Sequence, residues 1–297
     1  MRPNSLYLFL TLIILLSGCS TETTVFNSLE DSEQVLRSIT VEKVDIPESG
    51  YIMMFDQYGR PSNYTSIDHM DLFRSFTYNS DGQLATINYE IPSSASYQFQ
   101  YEAGRLGEQD GFTNGDTVNM RFLYNSNEVQ TLRFINDQYH STSFFIFSDE
   151  SLQTLQEVRS YDGGGQLRHQ YQFEYDPRGN IIEEEHFVYD PFNDMMRFDH
   201  RVQQQFDDGR NPLTNSQQFD WMEAWYLSFF EQDTFIENIS RRAPNNVLNQ
   251  NIVSYIGQST THAFSYEYNA FNYPVKATRI TNGEFGILKF SFAYYVD

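Results

Sequence analysis

An aromatic residue returns along this chain at a fixed step, and a short polar turn follows it each time. Phe55, Tyr78, Tyr101, Tyr124 and Phe147 stand 23 residues apart, four times running. The clearest copies read Phe55-Asp56-Gln57-Tyr58-Gly59, Tyr78-Asn79-Ser80-Asp81-Gly82 and Tyr175-Asp176-Pro177-Arg178-Gly179. A fixed step of this kind is the signature of a repeat architecture. The turn residues explain the step. Asp or Asn at the first position accepts backbone hydrogen bonds, and Gly three residues on takes the positive-φ position that closes the loop. A unit of this length holds two strands of about eight residues and two turns. Beyond Tyr161 the step shortens: Tyr161, Tyr175 and Tyr189 are 14 apart, so each single strand there ends in such a turn. The copies at Tyr124 and Phe147 lack the Gly.

The segments between turns alternate. Leu167, His169, Tyr171, Phe173 and Tyr175 point one way, and Gln166, Arg168, Gln170, Gln172 and Glu174 the other. This is the period of a sheet with one apolar and one wet face. Met120, Phe122 and Tyr124 repeat it, as do Leu288, Phe290, Phe292 and Tyr294. The 21 Tyr and 26 Phe are good strand formers and are read as core and cross-strand packing. The expected fold is all-β: an antiparallel meander of repeated hairpins, about 16–20 strands, rolled into an open or closed barrel-like sheet.

One stretch breaks the pattern. Gln217 to Glu231 has no turn signals and sets Trp221, Trp225 and Phe229 on one helical face. It is expected as one short helical insert, covering a sheet edge that would otherwise be open. Trp221, Trp225 and Tyr226 are the candidate ligand-binding residues.

The N-terminus predicts a location. Met1-Arg2 precedes an apolar run of 11 residues, Leu6 to Leu16, too short to span a bilayer as a helix. The run ends in Leu16-Ser17-Gly18-Cys19, which resembles the bacterial lipobox, in which the Cys is acylated and becomes the mature N-terminus. Cys19 is the only cysteine, so lipidation there leaves no disulfide and no cysteine metal site. The expected organisation is a leader over 1–18, a lipidated Cys19 and polar tether over 19–50, and a single repeat-built β domain over 51–297. Acylated chains need no transmembrane helix to stay on a membrane.

The Tyr-Asp-x-x-Gly turns look like the YD repeats of the Rhs family, whose shells need many more repeats. A closer resemblance covers most of the mature chain. The YD-like turns at Tyr78 and Tyr175 are followed in order by Phe206-Asp207-Asp208-Gly209-Arg210-Asn211-Pro212, Asn245-Asn246-Val247 and Tyr266 to Pro274. This order resembles a group of Bacteroidota lipoproteins of unknown function with a porin-like β fold. The resemblance implies an antiparallel meander curling toward a barrel. It carries no catalytic residues. Surface-exported lipoproteins of Bacteroidota often carry acidic residues just after the Cys; here only Glu22 is close, which leaves periplasmic face and cell surface both open.

The chemistry-bearing residues form no motif. His69, His140, His169, His186, His200 and His262 are scattered, with no zinc-protease spacing. His169, on an apolar strand face, is read as a satisfied core histidine, and neither a metal nor another cofactor is expected. There is no nucleophile elbow and no phosphate loop; Gly163-Gly164-Gly165 follows Tyr161-Asp162 as a hairpin turn. Asp207-Asp208-Gly209 and Asn79 to Gly82 are read as turns, because the remaining ligands of a calcium loop are missing. Glu183-Glu184-Glu185 alternates faces on a strand and is read as a solvated edge. Asp116-Thr117-Val118 fits a short O-glycosylation pattern at Thr117. A net charge of −21 and a pI near 4.5 argue against nucleic acid as a partner.

Three function classes follow. The first is a non-enzymatic envelope lipoprotein, a β scaffold or binding module for a glycan or protein. The second is a glycan-binding accessory of a nutrient-uptake system, stacking sugar on the tryptophans. The third is an integral outer-membrane barrel, for which alternation speaks and the lipobox, the spread of aromatics along strands and the Val296-Asp297 end do not.

Overall fold

A computed structural model describes residues 34–44, 46, 49–67, 72–90, 95–113, 115–214, 243–282 and 286–295. Among these residues eighteen strands form one sheet. The first six are β1 (Leu36–Lys43), β2 (Gly50–Phe55), β3 (Pro61–Ser66), β4 (Leu72–Tyr78), β5 (Leu84–Tyr89) and β6 (Ala95–Glu102). Then come β7 (Arg105–Thr113), β8 (Asp116–Asn125), β9 (Glu128–Ile135), β10 (Gln138–Phe147), β11 (Leu155–Asp162) and β12 (Leu167–Tyr175). The last six are β13 (Ile181–Asp190), β14 (Met195–Arg210), β15 (Asn245–Ser254), β16 (Ser259–Tyr268), β17 (Pro274–Thr281) and β18 (Ile287–Tyr294).

Every strand pairs antiparallel with the next, and β1 pairs with both β2 and β18. The meander therefore closes into a barrel, and the seam joins Ile39 to Phe292 and Val41 to Phe290. Closure removes the free edge for which a covering segment was expected, since only a closed sheet pairs all its strands. The expected helical insert, with Trp221, Trp225 and Tyr226, lies outside the described residues, as do the leader and Cys19. β1 falls inside the segment expected as a tether. Its buried Leu36, Ile39 and Val41 are separated by Thr40 and flanked by Glu42, an alternation that the surrounding acidic residues obscure.

The alternation puts aromatic and aliphatic side chains inside. On β18, Leu288, Phe290 and Phe292 are buried while Lys289, Ser291 and Ala293 are exposed. On β6, Tyr97 and Phe99 are buried and Gln98, Gln100 and Glu102 exposed. Two buried clusters result. One gathers around Leu84, Ile87, Leu106, Phe147 and Leu155, the other around Ile39, Val41, Met53 and Phe290.

The 23-residue step is the spacing of one barrel end. Phe55, Tyr78, Tyr101, Tyr124, Phe147 and Tyr175 all close strands at the same end, one per hairpin. There the tyrosines staple neighbouring strands. Tyr78 Oη donates to the Pro61 carbonyl (2.7 Å), Tyr175 to Leu155 (2.6 Å) and Tyr294 to Pro274 (2.7 Å). Each acceptor is the first residue of the preceding strand. The turns share one geometry: Asp56, Asn79, Asp176 and Asn269 each accept two backbone N–H bonds through a single side-chain oxygen. Gly59, Gly82 and Gly179 supply the positive φ, and Asn272 (φ 64) takes that place in the last copy. Adjacent turns are cross-braced. Arg60 donates to the Gly82 carbonyl (3.2 Å) and Gln83 to the Gly104 carbonyl (3.0 Å), so each hairpin fixes the next at a constant offset. Tyr161 and Tyr189 belong to the opposite end and the outward face, which is why the step shortens there. Gly163 to Gly165 form the β11–β12 turn as expected, with Asp162 accepting from Gly164 and Gln166.

The Asp207-Asp208-Gly209 segment is not a turn. It is an irregularity within β14, between Phe206 and Arg210. Asp207 accepts from the backbone of Gly209 and Asn246 and from the Tyr268 hydroxyl. Asn245 and Asn246 donate to the carbonyls of Gly209 and Arg210. The Asn-Asn, Asp-Asp-Gly and Tyr elements that are separate in sequence thus form one cap on the stapled end. A Cβ on Gly209 would lie 2.5–2.7 Å from the Tyr268 ring. Gly209→Ala is therefore expected to cost about 1–3 kcal/mol through overpacking, read as a lowered urea midpoint. An unchanged midpoint would show that Tyr268 can move aside freely.

Candidate functional site

Three adjacent strands bring together residues that the sequence scatters. β12 carries His169 and Tyr171, β13 carries Glu184 and His186, and β14 carries Asp199 and His200. Register makes Tyr171 the cross-strand neighbour of His186, and His186 that of His200. Alternation alone would point Asp199 and His200 to opposite faces. A register shift prevents this: His186 pairs with His200 but Phe187 pairs with Phe198, leaving Asp199 as the extra residue of a β-bulge. Bulges re-aim side chains in this way. The Asp199 carbonyl is held from the far side by the Tyr255 N–H (2.7 Å).

The result is a continuous polar chain. Asp199 Oδ2 lies 3.1 Å from His186 Nδ1 and 2.9 Å from His200 Nδ1, and the two Nδ1 atoms are 3.4 Å apart. On its other side His186 Nε2 meets His169 Nδ1 at 3.2 Å. Tyr171 stacks on the His186 ring at 4.2 Å between centroids, which fixes the ring plane. His186 is buried, with its side chain 8% exposed, whereas Asp199 (33%) and His200 (31%) are reachable. His169 stands on the expected face but is exposed there and bonded to His186, so it is not a core histidine.

Burial pushes the His186 pKa down to about 4, aided by His200 and opposed by Asp199. Burial would raise the Asp199 carboxyl, but the His200 hydrogen bond and the charges of His186 and His200 outweigh it and hold it below its ordinary value. Glu184, half-buried on the inner face, is pushed up to about 7 by burial. The acidic triplet is thus divided by the sheet. Glu183 and Glu185 face outward and pair with Arg201, on a strand with neighbours on both sides and hence not at an edge. Glu184 faces in.

This was missed in sequence for a physical reason. The three histidines sit on different strands at spacings set by hairpin length, and the bulge at Asp199 leaves no local mark. A second polar patch lines the inner face elsewhere: His262 Nδ1 lies 2.7 Å from Thr281 Oγ1, with Arg279 on the adjoining strand, 4% exposed. Thr117 is exposed on β8, and its hydroxyl donates to Asn136 Oδ1 (3.2 Å).

The outward wall is polar. Arg159 pairs with Glu157 (2.6 Å), which also accepts from Gln170 (2.6 Å). Gln203 donates to Glu183 (2.7 Å), Lys276 to Glu267 (3.0 Å), and Asn119 to Glu108 and Asp110. Outward apolar side chains such as Phe112, Leu123 and Ile280 are interleaved with these groups. Among the described residues no uninterrupted apolar band faces outward, the arrangement that a lipid-spanning barrel requires.

The molecule is thus a closed 18-stranded antiparallel barrel with an aromatic interior. Among solved structures it is similar to a porin-like protein from Bacteroides vulgatus, at 12% identity and a TM-score of 0.46, covering 88% of this chain and 99% of that one. It is also similar to a porin-like protein from Bacteroides uniformis, at 10% identity and a TM-score of 0.34, covering 90% of this chain and all of that one. No family model matches the chain, and no curated protein matches it significantly.

Proposed function

We propose that this chain is a cell-envelope lipoprotein: a non-enzymatic β-barrel binding module, held at the outer membrane by acyl chains on Cys19 and standing in water. The outward wall carries this reading. Carboxylates, amides and guanidinium groups cover strands β7, β8, β12, β13 and β14 on that side, and burying them in hydrocarbon would cost several kcal/mol each. A barrel whose outward wall is interleaved with charged and amide groups needs another means of attachment, and the Leu16 to Cys19 lipobox provides one. The polar stretch of inner face around His169 and His186 gives the barrel a place to hold a ligand, away from the aromatic staples of the other end.

Cys19→Ala is expected to abolish incorporation of labelled fatty acid. A form trimmed after Cys19 is expected to stay in the aqueous phase of a detergent phase partition. A trimmed barrel that needs detergent to remain dispersed would place the wall in lipid and sink the proposal. Protease added to intact cells then assigns the face: digestion means the cell surface, protection the periplasm.

A further inference from the structure

We infer that His186, Asp199 and His200 form a binding site for a divalent transition-metal ion of the zinc type, with His169 as the positioning residue behind it. The inference does not depend on the envelope reading, since it rests only on the inner face of β12, β13 and β14.

Geometry comes first. The three candidate ligand atoms form a triangle with edges of 2.9, 3.1 and 3.4 Å. Zinc binds His nitrogen and carboxylate oxygen at about 2.0–2.2 Å, which places neighbouring ligand atoms about 3.0–3.5 Å apart in tetrahedral or expanded coordination. An ion at that distance from all three atoms would sit about 1 Å out of their plane, so the cluster needs almost no rearrangement to accept it. The triangle is held by the sheet: His186 and His200 by cross-strand register, and Asp199 by the bulge.

Chemistry comes second. Two imidazoles and one carboxylate are borderline donors that suit zinc and its neighbours, whereas magnesium and calcium prefer all-oxygen sets. A ligating histidine normally donates its other ring N–H to a fixed acceptor, which orients the ring and sets the tautomer. His169 Nδ1, 3.2 Å from His186 Nε2, is placed to accept that hydrogen, and Tyr171 holds the ring flat. Glu184 lies on the same inner face, one inward position along β13 from His186. With Asp199 it provides two carboxyl groups near a doubly charged ion. The exposure of Asp199 and His200 leaves the outer side of the site open to water or to an exogenous ligand, as in zinc sites with three protein ligands.

The test uses the full chain, stripped with chelator and titrated with Zn²⁺ by calorimetry. The expected result is one site per chain with a micromolar or tighter Kd, undisturbed by millimolar Mg²⁺ or Ca²⁺. Asp199→Asn and His200→Gln should each weaken it at least a hundredfold. His169→Ala should weaken it 10- to 100-fold, about the range found for such orienting partners. His140→Ala, an exposed histidine outside the cluster, should leave it unchanged. Thermal melts of the metal-free variants identify any that are misfolded. A zinc K-edge spectrum should show two imidazoles. Zinc bound equally well by folded Asp199→Asn and His200→Gln variants, or displaced by Mg²⁺, would overturn the inference.

Discussion

Phe290→Ala is expected to destabilise the barrel by about 3–5 kcal/mol, the usual range for deleting a buried aromatic side chain. Phe290 is 1% exposed and lies on β18, paired with Val41 on one side and Ala277 on the other. Most strand pairs in this meander are tied by a hairpin, so losing a contact leaves the strands covalently adjacent. The β1–β18 seam has no such tie; pairing and packing alone close it. Phe290 belongs to the cluster that packs across it, with Ile39, Val41 and Met53. Against a total stability of about 5–15 kcal/mol, the loss would take a large part of the margin. Hydrogen exchange should show the amides of Ile39 and Val41 losing protection first. Ser291→Ala, one residue along and facing outward, is the control and should change stability by less than about 0.5 kcal/mol. Equal urea midpoints for the two variants would show that the seam is held by something other than this cluster.

The second large effect is a loss of stability in acid. His262 is 8% exposed on the inner face of β16, between Gln250 and Thr281 in register, with Arg279 on the neighbouring strand. Burial, together with the Arg279 charge, pushes its pKa down to about 4. In the unfolded chain the value is about 6.5. Between those limits the unfolded state binds the extra proton and the folded state refuses it, so stability rises with pH. The contribution is complete above the unfolded value and is lost as pH falls through the folded one. Its size is about 2–3 kcal/mol. His262→Gln keeps a polar group beside Thr281 but cannot titrate, so its urea midpoint should fall less than that of the parent between pH 7 and 4.5. Parallel declines in the two proteins would remove His262 as the cause and leave the buried His186 and the carboxylates to account for it.

Some of this molecule was legible in one dimension because its causes are local. An Asp or Asn that accepts two backbone N–H groups, followed by a residue at positive φ, makes a turn wherever it stands, and alternation assigns faces without reference to neighbours. Phe55, Tyr78 and Tyr175 could therefore be placed at strand ends, and Leu288, Phe290 and Phe292 on an inner face. The count of strands came within range for the same reason. β1 was hidden because three buried residues amid acidic neighbours look like a tether until β2 and β18 are set on either side of them.

What the chain determined by itself is the hairpin unit, the period at which the units repeat, and the side on which each residue of a regular strand falls. Only the tertiary structure decided that the sheet closes, because closure depends on pairing between residues such as Val41 and Phe290 that stand at opposite ends of the chain. Only the tertiary structure could bring His169, His186 and His200 together, since their distances depend on register across three strands. A one-residue bulge turned Asp199 onto the same face as His200. Alternation predicts the opposite, and the bulge exists only in the pairing of β14 with β13, where His186 meets His200 and Phe187 meets Phe198.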